Sequence, residues 1–193
     1  EASARRVFAM IDLQPTIIDK EGAEDLAGKA ESISFEDVHF GYPGGSKVLN
    51  GISLSLKENQ SVGIVGPTGA GKSTIVKLLL RYYEPDSGKV MMNNTDLQDL
   101  TLASMRQQIG YVSQDVYLFH GTVRENIAYS DQSASKEEIE EAARLAGAHE
   151  FIESFKTGYD TMVGDRGVKL SGGQRQRISL ARAILRKPAL LIL

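Results

Sequence analysis

The sequence predicts an α/β fold with a small antiparallel β subdomain and an inserted helical subdomain. The apolar run SVGIV (61–65) passes through a glycine-rich loop into a segment of helical length, which predicts a strand–loop–helix unit. Two segments, 33–40 and 47–56, alternate apolar and polar residues around the turn sequence GYPGGS and predict an antiparallel strand pair. A helical region between two further apolar runs, 109–113 and 189–193, predicts the inserted helices and buried parallel strands.

Composition narrows the function classes before any motif is considered. The 193 residues include 22 Lys and Arg against 25 Asp and Glu, so the net charge is −3 and a phosphate-binding basic surface for a nucleic acid is not expected. The chain has no Cys, which excludes disulfides and thiolate metal sites, and its three His are too scattered for a zinc motif. No apolar run approaches the roughly 20 residues that span a bilayer.

The N-terminal region has a different character from the rest of the chain. Ala4, Val7, Phe8 and Ile11 recur at helical spacing and predict a short amphipathic helix over residues 1–13. Residues 14–32 are rich in Pro, Gly, Asp, Glu and Lys without periodicity, which indicates a linker. We therefore expect a domain boundary near residue 31, with a helix and linker in 1–30 and a folded domain in 31–193.

Two helices are predicted in the second half of the chain. Ser135 and Glu138 form a capping box that begins a helix over 135–155. Residues 174–186 form an amphipathic helix, which Pro188 ends. The inward face of this second helix carries Ile178, Ala181 and Leu185.

The glycine-rich loop carries the strongest chemical signal. GPTGAGKS (66–73) matches G-x-x-x-x-G-K-[ST] between a predicted strand and a predicted helix over 73–83. Glycines let successive N–H groups face one concavity, and the helix N-terminus adds its positive dipole end. The Lys72 ammonium would then contact β and γ phosphates, the Ser73 hydroxyl Mg²⁺, and Thr74 the α phosphate. The candidate phosphate-binding residues are Gly66, Pro67, Thr68, Gly69, Ala70, Gly71, Lys72, Ser73 and Thr74.

A second glycine cluster, LSGGQ (170–174), lies at the start of the predicted helix 174–186. Ser171 is a favourable N-cap, and the two glycines expose backbone N–H groups, so this segment also favours an anion. One nucleotide does not need two such sites: either the second closes over the first in the same subunit, or it serves a nucleotide held by another subunit. Arg175 is a candidate for steering phosphate. The candidate residues of this cluster are Ser171, Gly172, Gly173 and Gln174.

Together, in this order and at this spacing, GPTGAGKS and LSGGQ resemble the Walker A loop and the signature motif of an ATP-binding cassette (ABC) transporter's nucleotide-binding domain. The resemblance covers about residue 33 to the last residue and implies a P-loop NTPase (RecA-like) core. Two further segments, GTVRENIAY (121–129) and TMVGDRG (161–167), resemble exporters rather than importers. The N-terminal helix resembles the segment that links an exporter's last membrane helix to this domain.

The resemblance implies roles for individual residues. Tyr42 occupies the position of an aromatic that stacks on adenine, and Gln114 that of a glutamine that reaches Mg²⁺ and the attacking water. The implied catalytic residues are Lys72 and Gln114, and the implied Mg²⁺ contacts are Ser73 and Gln114. Residues 115–124 and 161–167 are implied to meet the membrane domain.

The implied function is MgATP binding and hydrolysis that drives export. Two such domains, identical or different, would dimerise head to tail, each ATP lying between 66–74 of one and 171–174 of the other. They would act at the cytoplasmic face of a membrane, joined to the transmembrane domain of the same transporter.

The family's catalytic carboxylates lie beyond the given sequence. In the family an Asp and a Glu follow the strand that corresponds to 189–193, whereas this chain stops at Leu193. The domain is therefore expected to be C-terminally incomplete. We expect an ABC-type ATPase in the intact protein and little activity from this chain alone, because water positioning needs that carboxylate.

Two other functions stay open at this point. A soluble ABC-type ATPase acting on nucleic acid or chromosomes shares both motifs, although the mild acidity and the lack of a long coiled coil between them disfavour it. A nucleotide-binding or dimerisation module without hydrolysis is the other alternative. Carboxylates after residue 193 would favour the ATPase over the module.

Overall fold

The computed structural model describes residues 2–164 and 170–193, and the chain divides into two compact units, Glu1–Met105 and Arg106–Leu193. The first unit contains α1 (Ala2–Ile11), β1 (Ser32–Gly41), β2 (Lys47–Lys57), α2 (Lys72–Leu79), β3 (Ser87–Met92), β4 (Thr95–Asp96) and most of α3 (Leu102–Gln107). The second contains β5 (Ile109–Tyr111), β6 (Gly121–Thr122), α4 (Val123–Ala128), α5 (Lys136–Leu145), α6 (His149–Glu153), β7 (Met162–Val163), α7 (Gly172–Leu185) and β8 (Leu190–Ile192).

The first unit is built on one antiparallel sheet with the strand order β2-β1-β3-β4. Its central strand β1 buries Ile33 and Phe35, is interrupted by a bulge at Asp37 (φ 47°), and then buries Val38 and Phe40. The bulge inserts an extra residue and so restores the inward alternation for the last apolar pair. The predicted antiparallel pairing of 33–40 with 47–56 is confirmed.

The predicted buried strand at 61–65 is wrong for this structure. Residues 60–66 have neither helical nor strand structure, and Val62, Ile64 and Val65 are 53%, 41% and 91% exposed. No described strand pairs with this segment, so its backbone lacks the ladder hydrogen bonds that define a strand. An apolar run is consistent with a buried strand only where another strand lies beside it.

The segment between α1 and β1 is held to the first unit by hydrogen bonds. The Glu24 N–H donates to the Asp99 carbonyl (3.0 Å), and the Thr101 N–H donates to the Glu24 carbonyl (2.9 Å). The Asp19 carboxylate accepts from the Leu102 N–H (2.7 Å) at the start of α3. Residues 18–31 therefore pack along this unit with almost no regular secondary structure of their own.

The predicted N-terminal helix is confirmed as α1. Its apolar residues Val7, Phe8 and Ile11 are largely exposed. Within the described ranges, no helix has both the length and the apolar character needed to cross a bilayer.

Arg81 fixes the end of α2. Arg81 has a positive φ of 49° and is only 3% exposed. Its guanidinium donates to the carbonyls of Leu97 (3.2 Å), Leu100 (3.1 Å) and Ile18 (3.2 Å) and pairs with Glu84 (3.1 Å). Because these bonds join α2 to two later turns and to the 18–31 segment, the helix that follows the phosphate loop is anchored at its C-terminal end.

The second unit has a helical core beneath α7. The predicted inward face of this helix is confirmed, since Ile178, Ala181 and Leu185 are buried. The core packs them against α4 and α5. β5 pairs in parallel with β8, as expected of the strands 109–113 and 189–193, although both strands are shorter than predicted. The predicted burial of the two strands is wrong, because Tyr111 and Leu191 are 43% and 39% exposed.

The helix predicted over 135–155 is divided in two. The capping box is present, because the Glu138 N–H donates to Ser135 Oγ (3.2 Å) and the Ser135 N–H donates to Glu138 Oε2 (3.0 Å). α5 then ends at Leu145, and Gly147 has a φ of 64° before α6 begins. A left-handed glycine is the usual end of a helix, so Gly147 was the signal for the break.

Candidate nucleotide-binding site

The phosphate loop, residues 66–73, ends at a helix start that no side chain caps. Gly71 is the N-cap of α2 with a φ of 89°, and no side-chain hydrogen bond caps the N–H groups at this helix start. A Cβ on Gly71 would lie 2.7 Å from Leu49 Cδ2, so packing as well as the dihedral requires glycine. The N-terminal dipole end of α2 is therefore presented toward an exposed loop, which is the geometry of an anion site.

Lys72 lies over this loop. Its ammonium donates to the carbonyls of Gly66 and Pro67, both at 2.8 Å. Residues 66–70 are exposed, as is Ser73 on the first turn of α2. A positive charge is thus held against the loop backbone while the loop itself remains open to a phosphate.

Tyr42 lies beside the same helix. Its hydroxyl is 3.1 Å from Thr74 Oγ1, and its half-buried ring meets the rings of Phe40 and Tyr83 edge-on with centroids 5.0 and 5.1 Å away. The structure therefore brings Tyr42 together with the phosphate-loop helix, which the sequence left far apart. Thr74 is 4% exposed as a residue and its hydroxyl bonds to Tyr42, so the expected α-phosphate contact of Thr74 stays a prediction.

Sequence reasoning missed Lys77. Its ammonium donates to the Tyr42 hydroxyl (3.3 Å) and lies 5.1 Å from the centroid of that ring. Lys77 follows Thr74 by three positions, which places the two side chains on one face of α2. The sequence shows that Thr74 and Lys77 are three positions apart, but only the structure shows that both side chains contact Tyr42.

The signature loop, residues 170–174, begins α7 in the second unit. Ser171 Oγ accepts from the Gln174 N–H (3.2 Å), and Gln174 Oε1 accepts from the Ser171 N–H (2.9 Å). A Cβ on Gly173 would meet nothing within 4 Å, and one on Gly172 only a side-chain nitrogen at 3.9 Å. Packing against the described residues therefore does not require these glycines. Arg175 donates to the Leu170 carbonyl (2.6 Å) and so braces the loop.

Gln114 lies in the second unit, in an exposed segment directly after β5. The segment that follows is organised by a hydrogen-bonded pair that the sequence did not single out, the buried Asn126 and the partly buried Arg182. Arg182 donates to the Asn126 carbonyl (2.7 Å), to Asn126 Oδ1 (3.0 Å) and to the Tyr117 carbonyl (3.1 Å), and burial lowers the pKa of its guanidinium. Asn126 in turn donates to the Phe119 carbonyl (2.9 Å). From the sequence alone, an Arg on an amphipathic helix is interpreted as solvent-exposed, so no pattern predicts the hydrogen bonds between Arg182 and Asn126.

The two segments expected to meet a membrane domain lie side by side where the structure describes them. β6 pairs antiparallel with β7, joining Gly121 to Val163 and Thr122 to Met162. Arg124 pairs with Asp160 at 3.2 Å beside this ladder. The part of the second segment at 165–167 lies outside the described residues.

Comparison with known proteins agrees with the resemblance of the phosphate loop and the signature loop to those of an ABC transporter. A family described as "ABC transporter" matches residues 49–193. The chain is 46% identical over 192 residues to the ATP-dependent lipid A-core flippase of Syntrophus aciditrophicus, covering 100% of this chain and 32% of that protein. It is 44% identical over 188 residues to the mitochondrial iron-sulfur clusters transporter ABCB7 of Homo sapiens, covering 96% and 25%.

A solved structure has the same fold. A bacterial Atm1-family ABC exporter with ATP bound superposes with a TM-score of 0.92 at 40% identity, covering 97% of this chain and 33% of that one. The chain thus spans about a third or less of these relatives. The phosphate loop, the signature loop, the family match and this superposition agree, and the chain belongs to the ABC transporter family with the fold of its ATPase domain.

Proposed function

We propose that residues 31–193 form the ATP-binding domain of an ABC exporter, and that residues 1–30 are the helix and connecting segment from a preceding membrane domain. The observation that carries the proposal is the uncapped start of α2, with the Lys72 ammonium at 2.8 Å from two loop carbonyls and Tyr42 attached to the same helix. In the intact protein this domain binds MgATP and hydrolyses it to drive transport.

The residues of the first unit supply the charge that a triphosphate requires. The α2 dipole and the backbone N–H groups of 66–74 bind the phosphate oxygens, and the Lys72 ammonium contacts the β and γ phosphates. These proposed contacts come from Gly66, Pro67, Thr68, Gly69, Ala70, Gly71, Lys72, Ser73 and Thr74.

Magnesium fits the donor chemistry of the site only as a nucleotide-bound ion. The described residues contain no cluster of three or more His, Asp or Glu side chains that would hold a metal by themselves. Mg²⁺ prefers oxygen ligands and commonly takes several of them from phosphates. We therefore propose that the exposed Ser73 hydroxyl contributes a ligand, and that the bound ion would neutralise phosphate charge. The expected Mg²⁺ contact of Gln114, which belongs to the other unit, stays a prediction.

The signature loop supports a second contact to ATP. Among the described residues, packing does not require Gly172 and Gly173, which supports an approach of another molecule at these positions. Ser171, Gly172, Gly173 and Gln174 would contact the ATP held by the phosphate loop of a second nucleotide-binding domain. The resulting dimer is head to tail and contains two ATP sites.

The other partner is the transmembrane domain of the same transporter. The surface that we assign to it lies, in its described part, in residues 115–124 and 161–164, which the β6–β7 ladder joins and which the Arg124–Asp160 pair flanks. The domain would lie at the cytoplasmic face of the membrane. Its relatives include a lipid A-core flippase and an iron-sulfur clusters transporter, and the solved relative is an exporter, so we propose export without assigning a cargo.

Replacing Tyr42 tests the base contact. We expect Tyr42→Ala to weaken MgATP binding roughly 10-fold or more, because stacking of a base on an aromatic ring contributes about 1–3 kcal/mol. Binding of inorganic tripolyphosphate, measured by the same calorimetric titration, should change little, because it has no base. An equal loss for both ligands would argue against stacking on Tyr42.

A further inference from the structure

Tyr42 is held by the helix that begins at the phosphate loop. Thr74 and Lys77, one turn apart on α2, both contact its hydroxyl, at 3.1 and 3.3 Å. The same helix begins with Lys72 and Ser73. One rigid element therefore connects the expected phosphate contacts to the aromatic ring expected to take the base.

Lys77 adds a charge to this arrangement. Its ammonium is 5.1 Å from the centroid of the Tyr42 ring and 5.9 Å from that of Tyr83, within the range of a cation–π contact. Tyr83 and Phe40 hold the Tyr42 ring edge-on, at interplanar angles of 89° and 83°. These edge contacts restrict the ring, and Thr74 and Lys77 are the two side chains that bond to its hydroxyl, of which Lys77 alone carries a charge.

Resting on the proposed function, we infer that Lys77 is a positioning residue for the nucleobase. It orients Tyr42 through the hydroxyl and polarises the ring through its charge, so that the ring binds the base of ATP more tightly. Lys77 itself contacts no phosphate in this account, which separates its role from that of Lys72. The consequence is an effect on the base-dependent part of nucleotide affinity alone.

The test is a double-mutant cycle on MgATP and tripolyphosphate affinity, measured by calorimetry on the purified protein. We expect Lys77→Met to weaken ATP binding about 3- to 10-fold and to leave tripolyphosphate binding unchanged. Lys77→Arg keeps the cation and donors and should stay within about 2-fold of the parent. In a Tyr42→Ala background, Lys77→Met should have almost no further effect, because the two residues act as a unit.

A charge-matched control separates position from net charge. Lys57→Met removes an exposed lysine from the C-terminal end of β2. Lys57 pairs with Ser32 at the end of the β1–β2 pair that lies away from Tyr42, so both affinities should stay unchanged. Loss of tripolyphosphate binding in Lys77→Met, or an additive cycle, would overturn the role of Lys77 while ATP binding by the parent stands. A parent that binds ATP no better than tripolyphosphate would overturn the base contact itself, and the role of Lys77 with it.

Discussion

Lys72→Ala is expected to weaken MgATP binding by about 100-fold or more. The Lys72 ammonium lies over the phosphate loop, 2.8 Å from the Gly66 and Pro67 carbonyls, where it would contact the β and γ phosphates. A hydrogen bond to a charged group contributes about 1.5–3 kcal/mol, which corresponds to roughly 10- to 100-fold in affinity per bond. Two phosphate groups lose their partner at once, so the combined loss exceeds that of a single bond.

The matched control for this variant is Lys57→Ala. Lys57 is exposed on β2 and carries the same charge, so its loss reports the effect of net charge on nucleotide affinity. Circular dichroism and thermal midpoints should show that both variants remain folded, because neither side chain belongs to the buried core. Unchanged ATP affinity in folded Lys72→Ala, by calorimetry, would refute the phosphate-loop assignment.

Arg182→Met is expected to destabilise the second unit by about 2–3 kcal/mol. Its guanidinium makes three hydrogen bonds, two to Asn126 and one to the Tyr117 carbonyl, in a partly buried position. Methionine fills much of the same volume but removes the donor to the Asn126 and Tyr117 carbonyls, whereas Asn126 Oδ1 keeps the Phe119 N–H at 2.9 Å. The loss of hydrogen bonds from a charged group costs about 1.5–3 kcal/mol. The loss should appear as a lower urea midpoint for the second unit, together with faster amide exchange in residues 115–122.

Arg186→Met provides the comparison on the same stretch of chain. Arg186 is exposed at the C-cap of α7, so removing its charge should change the free energy of unfolding, measured by urea titration, by no more than about 0.5 kcal/mol. If the two variants lose equal stability, the Arg182–Asn126 network does not organise the 115–122 segment as the geometry indicates.

The sequence was sufficient where a residue type is required by its own backbone or by chemistry. The phosphate loop, the Ser135 and Ser171 helix starts and the β1–β2 pairing all follow from local patterns, and the structure contains each of them. The loop and the two helix starts depend on contacts within a few residues, and the strand pair depends on two segments joined by one turn, and a single sequence displays both kinds of pattern.

Prediction from the sequence fails where the structure of a segment or the contact of a side chain depends on a residue far away along the chain. Residues 61–65 have the composition of a buried strand, but no described strand pairs with them. The contacts of Lys77 and Arg182 join residues 35 and 56 positions apart, and no pattern in the sequence predicts such a pair. Local sequence patterns therefore predict the phosphate and signature loops. The side chains that hold Tyr42 and the segment after Gln114 are identified only by the structure.

Disulfide cross-linking between single-cysteine variants tests the proposed head-to-tail ATP sites most directly, because the 193 residues contain no Cys that would compete. Ala70 lies in the exposed phosphate loop, and a Cβ on Gly173 meets nothing within 4 Å, so cysteine at either position should be tolerated. We predict that Ala70→Cys mixed with Gly173→Cys forms a cross-linked dimer that MgATP increases and that Lys72→Ala suppresses. Equal cross-linking of each variant with itself, or a yield that does not depend on MgATP, would contradict an ATP site shared between the phosphate loop and the signature loop of two copies.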